Sequence, residues 1–235
     1  MRKQHLSRLA APRTWPIERK RSKWIAKPLP GAHNIQKSMP VVIVLRDILK
    51  IAANTKEVKK LLYGKKVIVN GKSVNEPRFA VGLFDTISVI PTKEHYRIII
   101  NKRGKLSLIK IPAEDAENMV LKVINKKILP QKKIQLNFSN GWNMLIKKDE
   151  YKTNDVVLFN INSKKLTNMP FSKGASVFVV GGKHAGIVAN FIDINETGIL
   201  RKNKIIKLSS KGTEFESSID NVFVVGSKTP AIKVE

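Results

Sequence analysis

The stretch from about Met39 to Pro91 constrains the fold most, because it strings together two short helices and a tight hairpin, each with its own local signal. Val41, Val44, Leu45, Ile48, Leu49 and Ala52 recur at helical spacing and predict a first helix with one apolar face. Asn54 can cap a second helix, and Glu57, three residues on, completes a capping box. In that helix Val58, Leu61 and Leu62 face inward, while Lys56, Lys59, Lys60 and Tyr63 fall on the other side. Gly64 is expected to end it through a left-handed exit. Lys66-Val67-Ile68-Val69 then predicts a strand, Asn70-Gly71 a type I′ turn, and Lys72-Ser73-Val74 the return strand.

Charge narrows the function. The chain has 235 residues, enough for two or three small domains, and 42% of them are hydrophobic, which supports packed cores. Its formal net charge is +26. Self-repulsion at that charge disfavours a compact monomer, so a polyanionic partner is the economical explanation. Nucleic acid and an anionic membrane surface are the candidates. No apolar run approaches the ~20 residues that span a bilayer, and the basic N-terminus has no apolar signal core. Cysteine is absent, so no disulfide framework or thiolate metal site is expected, which fits a reducing compartment. His5, His33, His95 and His184 have no metal-ligand spacing, so neither a metal nor a cofactor is expected.

Residues 1–38 carry Arg2, Lys3, Arg8, Arg13, Arg19, Lys20, Arg21, Lys23, Lys27 and Lys37 against Glu18 alone. Pro12, Pro16, Pro28 and Pro30 prevent a long helix, and such a segment cannot fold by itself. A solvated tail is the bland reading. Trp15 and Trp24 favour an extension that folds along RNA, where each could stack on bases or plug a cleft.

Residues 92–172 predict a strand-rich module. His95–Ile100 and Leu106–Ile111 flank a Lys102-Arg103-Gly104 hairpin signal. Pro112, Glu114, Asp115 and Glu117 predict a helix start, with Met119, Val120, Val123 and Ile124 as its apolar face. Further strands are expected around Lys133–Phe138, Trp142–Ile146 and Asp155–Asn160, with Asn140-Gly141 as a tight turn. Glu114, Asp115 and Glu117 are better explained as acids complementing a helix dipole than as a catalytic carboxylate pair.

In residues 173–235, Gly174 to Val188 reads as strand, glycine turn and strand, with Lys183 and His184 at the loop tip. Gly181, Gly182 and Gly186 admit positive φ and close backbone approach. The run lacks the Gly-Lys-Ser/Thr ending of a P-loop and is followed by strand, so a phosphate cradle is rejected. Lys202 and Lys204 lie on the next candidate hairpin, and Val222–Val225 predicts a closing strand.

These patterns resemble known families. Glu57, Leu61, Gly64, Val67, Val69, Asn70, Gly71, Val74 and Pro77 closely resemble the S-four-type RNA-binding domain, or alpha-L motif. The resemblance implies that the basic faces of both helices and the hairpin loop form one RNA surface. Its candidates are Arg46, Lys50, Lys56, Lys59, Lys60, Lys65, Lys66, Lys72 and Arg78. A phosphate could also dock at the N-terminus of the second helix beside Lys56. One departure is Leu83-Phe84-Asp85, where that family usually has Gly-Asp; it is expected to change a turn and spare the RNA surface. Gly174 to Val188 looks like a KOW motif, which implies a small SH3-like barrel, although Ala189 stands where many relatives have glycine. HLSRLAAPRTW and PLPGAHNIQKSMPVVIVLRDILKIA resemble the N-terminal region of the archaeal and eukaryotic small-subunit ribosomal protein S-four-e family. The short C-terminus looks like the archaeal-type form.

The expected fold is therefore α+β and multidomain: a basic extension (1–38), a helix–helix–hairpin domain (39–91), a strand-rich central domain (92–172), and a KOW/SH3-like domain with tail (173–235). The family resemblance implies a non-enzymatic constituent of the small (30S) ribosomal subunit, in the cytoplasm. Its partners would be rRNA and neighbouring small-subunit proteins, with no membrane and no small-molecule substrate. RNA candidates outside the helix–helix–hairpin domain are Arg2, Lys3, Arg8, Arg13, Trp15, Arg19, Lys20, Arg21, Lys23, Trp24, Lys183 and His184. An RNA-modifying enzyme would need a catalytic domain, and the ~80 residues before the KOW-like segment leave little room for one. A cycling transcription or translation factor rarely carries this much unbalanced charge. A peripheral membrane protein would need an amphipathic anchor helix, and none is evident.

Overall fold

The computed structural model describes residues 5–130, 133–146, 148–197, 203–210, 212–227 and 229–234. Strand dominates, and the few helices are short. The chain divides into two compact units, Met1–Ile99 with Lys105–Met119, and Ile100–Gly104 with Val120–Glu235. No helix among the described residues is long and apolar enough to cross a membrane.

The first unit opens with β1 (Leu6–Ser7) paired antiparallel to β2 (Trp24–Ile25). The chain between them has little regular structure, and arginines satisfy its carbonyls instead. Arg8, 7% exposed, donates to the Glu18 carbonyl at 3.0 Å and to Ser22 Oγ at 3.1 Å. Arg19 donates to the carbonyls of Leu9, Ala11 and Pro12. Side-chain donors thus do what a ladder would do elsewhere. Trp15 is a core residue, 1% exposed, and its Nε1 donates to the Ser38 carbonyl at 2.7 Å.

β3 (Ser38–Pro40) pairs with β6 (Ala80–Gly82), and α1 (Val41–Ile43) follows at once. The regular helix expected to reach Ala52 widens into a π turn over Val44–Ile48. There the Leu49 amide donates to the Val44 carbonyl at 2.9 Å. Val41 to Leu45 are all buried, so the start of this element is covered all round, while Arg46 and Asp47 in the π turn stay half-buried. Lys50, at φ 54°, turns the chain into α2 (Thr55–Tyr63). The capping box forms with a one-residue offset. Asn54 Oδ1 accepts from the Glu57 amide at 3.0 Å, while Glu57 Oε2 accepts from Ala53, not Asn54, at 2.7 Å. Gly64 does not supply the left-handed exit, since its φ is −72°. Lys65 does, at φ 52°.

A five-stranded sheet completes this part, in the order β5 (Lys72–Ser73), β4 (Val67–Val69), β7 (Thr86–Val89), β8 (Glu94–Ile100), β9 (Leu106–Ile111). Asn70 and Gly71 have φ 48° and 75°, the positive pair that a type I′ turn needs. Asn70 also reaches across, accepting from the Thr86 amide at 2.9 Å and donating to Asp85 Oδ1 at 2.7 Å. At the altered turn Phe84 itself adopts φ 63°, its ring buried and its amide donating to the Ile98 carbonyl at 2.8 Å. Burial of the ring holds a conformation that glycine would adopt without strain.

The helix expected after Pro112 is only one turn, α3 (Ala113–Ala116). The residues assigned to its apolar face lie in β10 (Asn118–Ile128), which starts in the first unit and runs through the second. Met119, Val120, Leu121, Lys122 and Val123 are all buried, so both faces of the strand are covered, a burial no single helix stripe would show. Ile124 is 60% exposed.

In the second unit β10 forms a sheet in the order β12 (Asn143–Ile146), β11 (Ile134–Phe138), β10, β13 (Val156–Asn160), β14 (Leu166–Met169). A second sheet runs β18 (Thr213–Ser218), β17 (Asn203–Ser210), β16 (Val188–Thr197), β15 (Ser176–Val179), β19 (Val222–Gly226). Lys122, 5% exposed, links them by donating to the Ile219 and Val222 carbonyls, each at 2.8 Å. Gly182 and Gly186 take positive φ, as anticipated. A Cβ on Gly186 would lie 2.4 Å from the Asn101 carbonyl carbon, so another backbone does approach there. Gly181 instead faces the Asn221 side chain.

Candidate nucleic-acid interface

A groove of about 1210 Å³ opens within the first unit. One wall comes from the N-terminal arm, through Arg8, Arg21, Ser22 and Trp24. The other comes from the helical section and the turn before β6, through Arg46, Lys50, Lys59 and Arg78. Ile25, Val42, Ala52 and Pro77 supply apolar lining. Arginines and lysines outnumber the two acids present, Asp47 and Glu76, so the groove attracts anions.

Its cations are held in different ways. Arg46 grips Asp47 through two bonds, Nε to Oδ1 and Nη2 to Oδ2, each 2.8 Å, and its Nη1 donates to Thr55 Oγ1 at 3.1 Å. The Asp47 hydrogen bond raises the Arg46 pKa against the opposing effect of burial, so the guanidinium stays charged. Arg78 Nε donates to the Lys27 carbonyl at 2.9 Å, which ties the turn to the arm. Lys50 and Lys59 are exposed. Trp24 is 53% exposed, with the Lys23 ammonium 5.3 Å from its ring centroid.

The predicted RNA residues separate accordingly. Arg21, Trp24, Arg46, Lys50, Lys59 and Arg78 meet at the groove, as does the buried Arg8. Lys56, Lys59, Lys60 and an exposed Tyr63 form the outer face of α2, with Lys65, Lys66 and Lys72 exposed on the following turn and hairpin. Arg13, Lys20 and Lys23 are exposed on the arm. Arg2 and Lys3 lie outside the described residues. Trp15 is corrected: a side chain 1% exposed cannot stack on a base, and it fills the core instead. Arg19 is mostly committed to carbonyls, as above. At the α2 N-terminus, where a phosphate seat was expected, the Glu57 carboxylate accepts from the Ala53 amide and from Asn54 Nδ2 and so sets a negative charge beside that end. In the second unit Lys183 is exposed, and His184 stacks on Phe215 with ring centroids 4.2 Å apart.

Sequence reasoning missed the groove's pairing partners. Asp47 was foreshadowed only by its adjacency to Arg46. Thr55 and the apolar floor carried no signal, since they join the site through tertiary packing. Among the described residues no cluster of His, Asp and Glu could hold a metal ion.

A strand-rich, strongly basic chain with a cationic groove and an exposed tryptophan on its rim is built to hold a polyanion. Comparison with known proteins makes this specific. The sequence model of Ribosomal family S4e matches residues 92–166, and that of the RS4NT (NUC023) domain matches residues 2–36. The chain is 42% identical over 230 residues to small ribosomal subunit protein eS4 of Methanocella arvoryzae, covering 97% of each. With the eS4 protein of Methanocaldococcus jannaschii it shares 37% identity over 242 residues, covering 99% of this chain and 98% of the other. The crystal structure of 30S ribosomal protein S4e from Thermoplasma acidophilum is similar at a TM-score of 0.70 and 28% identity, covering 85% of this chain and 99% of that one. The chain belongs to ribosomal family S4e, whose curated relatives carry the name small ribosomal subunit protein eS4.

Proposed function

We infer that this protein is a structural constituent of the small ribosomal subunit, where it binds rRNA and supports assembly and translation. The observation that carries this is the near end-to-end match to proteins named small ribosomal subunit protein eS4. The net charge of +26 fits it physically. Lysine and arginine neutralise phosphates and release counterions, which supplies much of the affinity. Selectivity comes from RNA shape and unpaired bases. The protein is not an enzyme, and it works in the cytoplasmic ribosome beside neighbouring small-subunit proteins.

A finer division of labour follows from the sequence patterns. Residues 39–91 act as an S-four-type RNA-binding domain, supported by the short helices, the Asn70-Gly71 turn and the exposed Lys56, Lys59 and Lys60. Residues 173–235 act as a KOW, SH3-like contact module, supported by the glycine turn at 181–186 and the strands around it. Residues 1–38 serve as a basic N-terminal extension, and 92–172 form a strand-rich central domain.

The test is binding of the purified chain to isolated small-subunit rRNA, against an equal mass of unrelated structured RNA, across a salt series. Selectivity that persists as salt rises supports the reading. Equal binding to both RNAs, lost together, overturns it and leaves only a polycation.

A further inference from the structure

We propose that the groove between the N-terminal arm and the helical section holds an unpaired RNA segment, with one base stacked on Trp24 and flanking phosphates on Lys50 and Arg21. The proposal rests on the rRNA-binding reading and adds to it a site and a ligand form.

Three observations point to single-stranded rather than duplex RNA. First, the ligand surface is a concave space of about 1210 Å³ with apolar side chains in its lining. An A-form duplex keeps its base faces stacked inside and presents phosphates, 2′-hydroxyls and base edges, all polar, so an apolar floor gains little from it. Bases that have left the stack do bury against such a floor. Second, the exposed tryptophan stands on the groove's rim and is held there by main-chain pairing, Trp24 opposite Ser7. Ser22 Oγ also donates to the Trp24 carbonyl at 3.2 Å. The ring is tilted against the His5 ring, with centroids 5.6 Å apart, yet stays 53% exposed on a positioned strand and so offers a stacking face at little entropic cost. Third, cations share the groove with that ring. Lys23 lies 5.3 Å from its centroid, and Arg21 and Lys50 line the same groove. Lys50 sits at φ 54°, a conformation that costs a non-glycine residue energy and that tertiary packing maintains, here directing a lysine to the groove. The two acids do not reverse the sign. Asp47 is neutralised by Arg46, and Glu76 Oε1 accepts from the Arg78 amide at 3.3 Å.

The experiment measures binding of full-length wild-type, Trp24→Ala, Trp24→Phe and Lys50→Ala proteins to three probes: a six-nucleotide oligouridylate, a blunt RNA hairpin duplex, and isolated small-subunit rRNA. Trp24→Ala is expected to lower the ratio of single-strand to duplex affinity roughly tenfold, the loss of one base–aromatic stack. Its salt slope should be unchanged, and Trp24→Phe should restore most of the affinity. Lys50→Ala should instead make the single-strand salt slope shallower by about 0.7. A ratio unchanged by Trp24→Ala, or no binding of the oligouridylate while rRNA still binds, overturns the groove proposal alone. Failure of the wild-type chain to select small-subunit rRNA overturns the underlying reading and this proposal together.

Discussion

His33 Nε2 lies 2.9 Å from Asp85 Oδ2, and this pair joins the arm to the turn before β7. The same carboxylate oxygen accepts from the Gly82 amide at 2.7 Å, while Asp85 Oδ1 accepts from Asn70 Nδ2 at 2.7 Å. One buried carboxylate therefore fixes the hairpin turn, the end of β6 and the arm at once. Burial alone would lower the His33 pKa, but the hydrogen bond to Asp85 and its charge outweigh that, and the net shift is upward.

That shift predicts a pH dependence. A histidine whose folded pKa lies above its unfolded value stabilises the fold fully below the unfolded pKa, and the contribution fades as pH rises through the folded pKa. The window here begins near the ordinary value of 6.5 and extends upward. Thermal melts of the wild type between pH 5 and 9 should show stability declining above that value. A His33→Gln variant should lose this part of the slope; an identical slope would remove His33 from the account.

Gly82 packs against the same imidazole, and a Cβ built there would sit 2.3 Å from His33 Cγ. Gly82→Ala should therefore destabilise by about 1–3 kcal/mol, the range for overpacking. Combining it with His33→Ala should cost less than the sum of the two single changes, which a double-mutant cycle in denaturant would measure.

Gly186 meets backbone rather than a movable side chain, at 2.4 Å from the Asn101 carbonyl carbon, and has φ 79°. Its replacement by alanine should cost more than Gly82→Ala, because strain and clash act together. Calorimetry should show the loss as a larger drop in melting temperature than Gly82→Ala gives.

Trp15→Ala should cost about 3–5 kcal/mol, as expected for a large core aromatic, and also removes the donor to the Ser38 carbonyl. Fluorescence makes the contrast with Trp24 measurable. Acrylamide should quench emission from a Trp24-only variant far more than from a Trp15-only variant, with phenylalanine at the other tryptophans.

Lys59 and Lys60 are exposed on α2 and make no contribution to the core. Lys59→Glu with Lys60→Glu should leave the melting temperature within a few degrees and weaken rRNA binding strongly, with a shallower salt slope. Unchanged affinity and slope would put the RNA face elsewhere.

How much was legible in advance depended on range. The strands at Ile134–Phe138, Asn143–Ile146 and Val156–Asn160 and their Asn140-Gly141 turn lie where alternation and turn chemistry put them. Asn54 caps α2 because its partner is three residues away. The first helix and the segment after Pro112 depart from expectation because burial there is not confined to one helical stripe: Val41 to Leu45 and Met119 to Val123 are buried at consecutive positions. Periodicity distinguishes helix from strand only when one face is polar. The candidate cations were recognisable as a set, but their partition between groove, outer helix face and internal hydrogen bonds was not.

By itself the sequence determined what depends on near neighbours and on totals: caps, tight turns, most strands, and a net charge of +26 that calls for a polyanion. Tertiary structure alone decided that Trp15 is core and Trp24 is rim, that Arg8 and Arg19 bond carbonyls, and that Lys50 and Arg21 line one groove. The reason is that burial and long-range pairing are set by which surfaces meet, and two tryptophans nine residues apart are chemically equal until the chain folds around one of them.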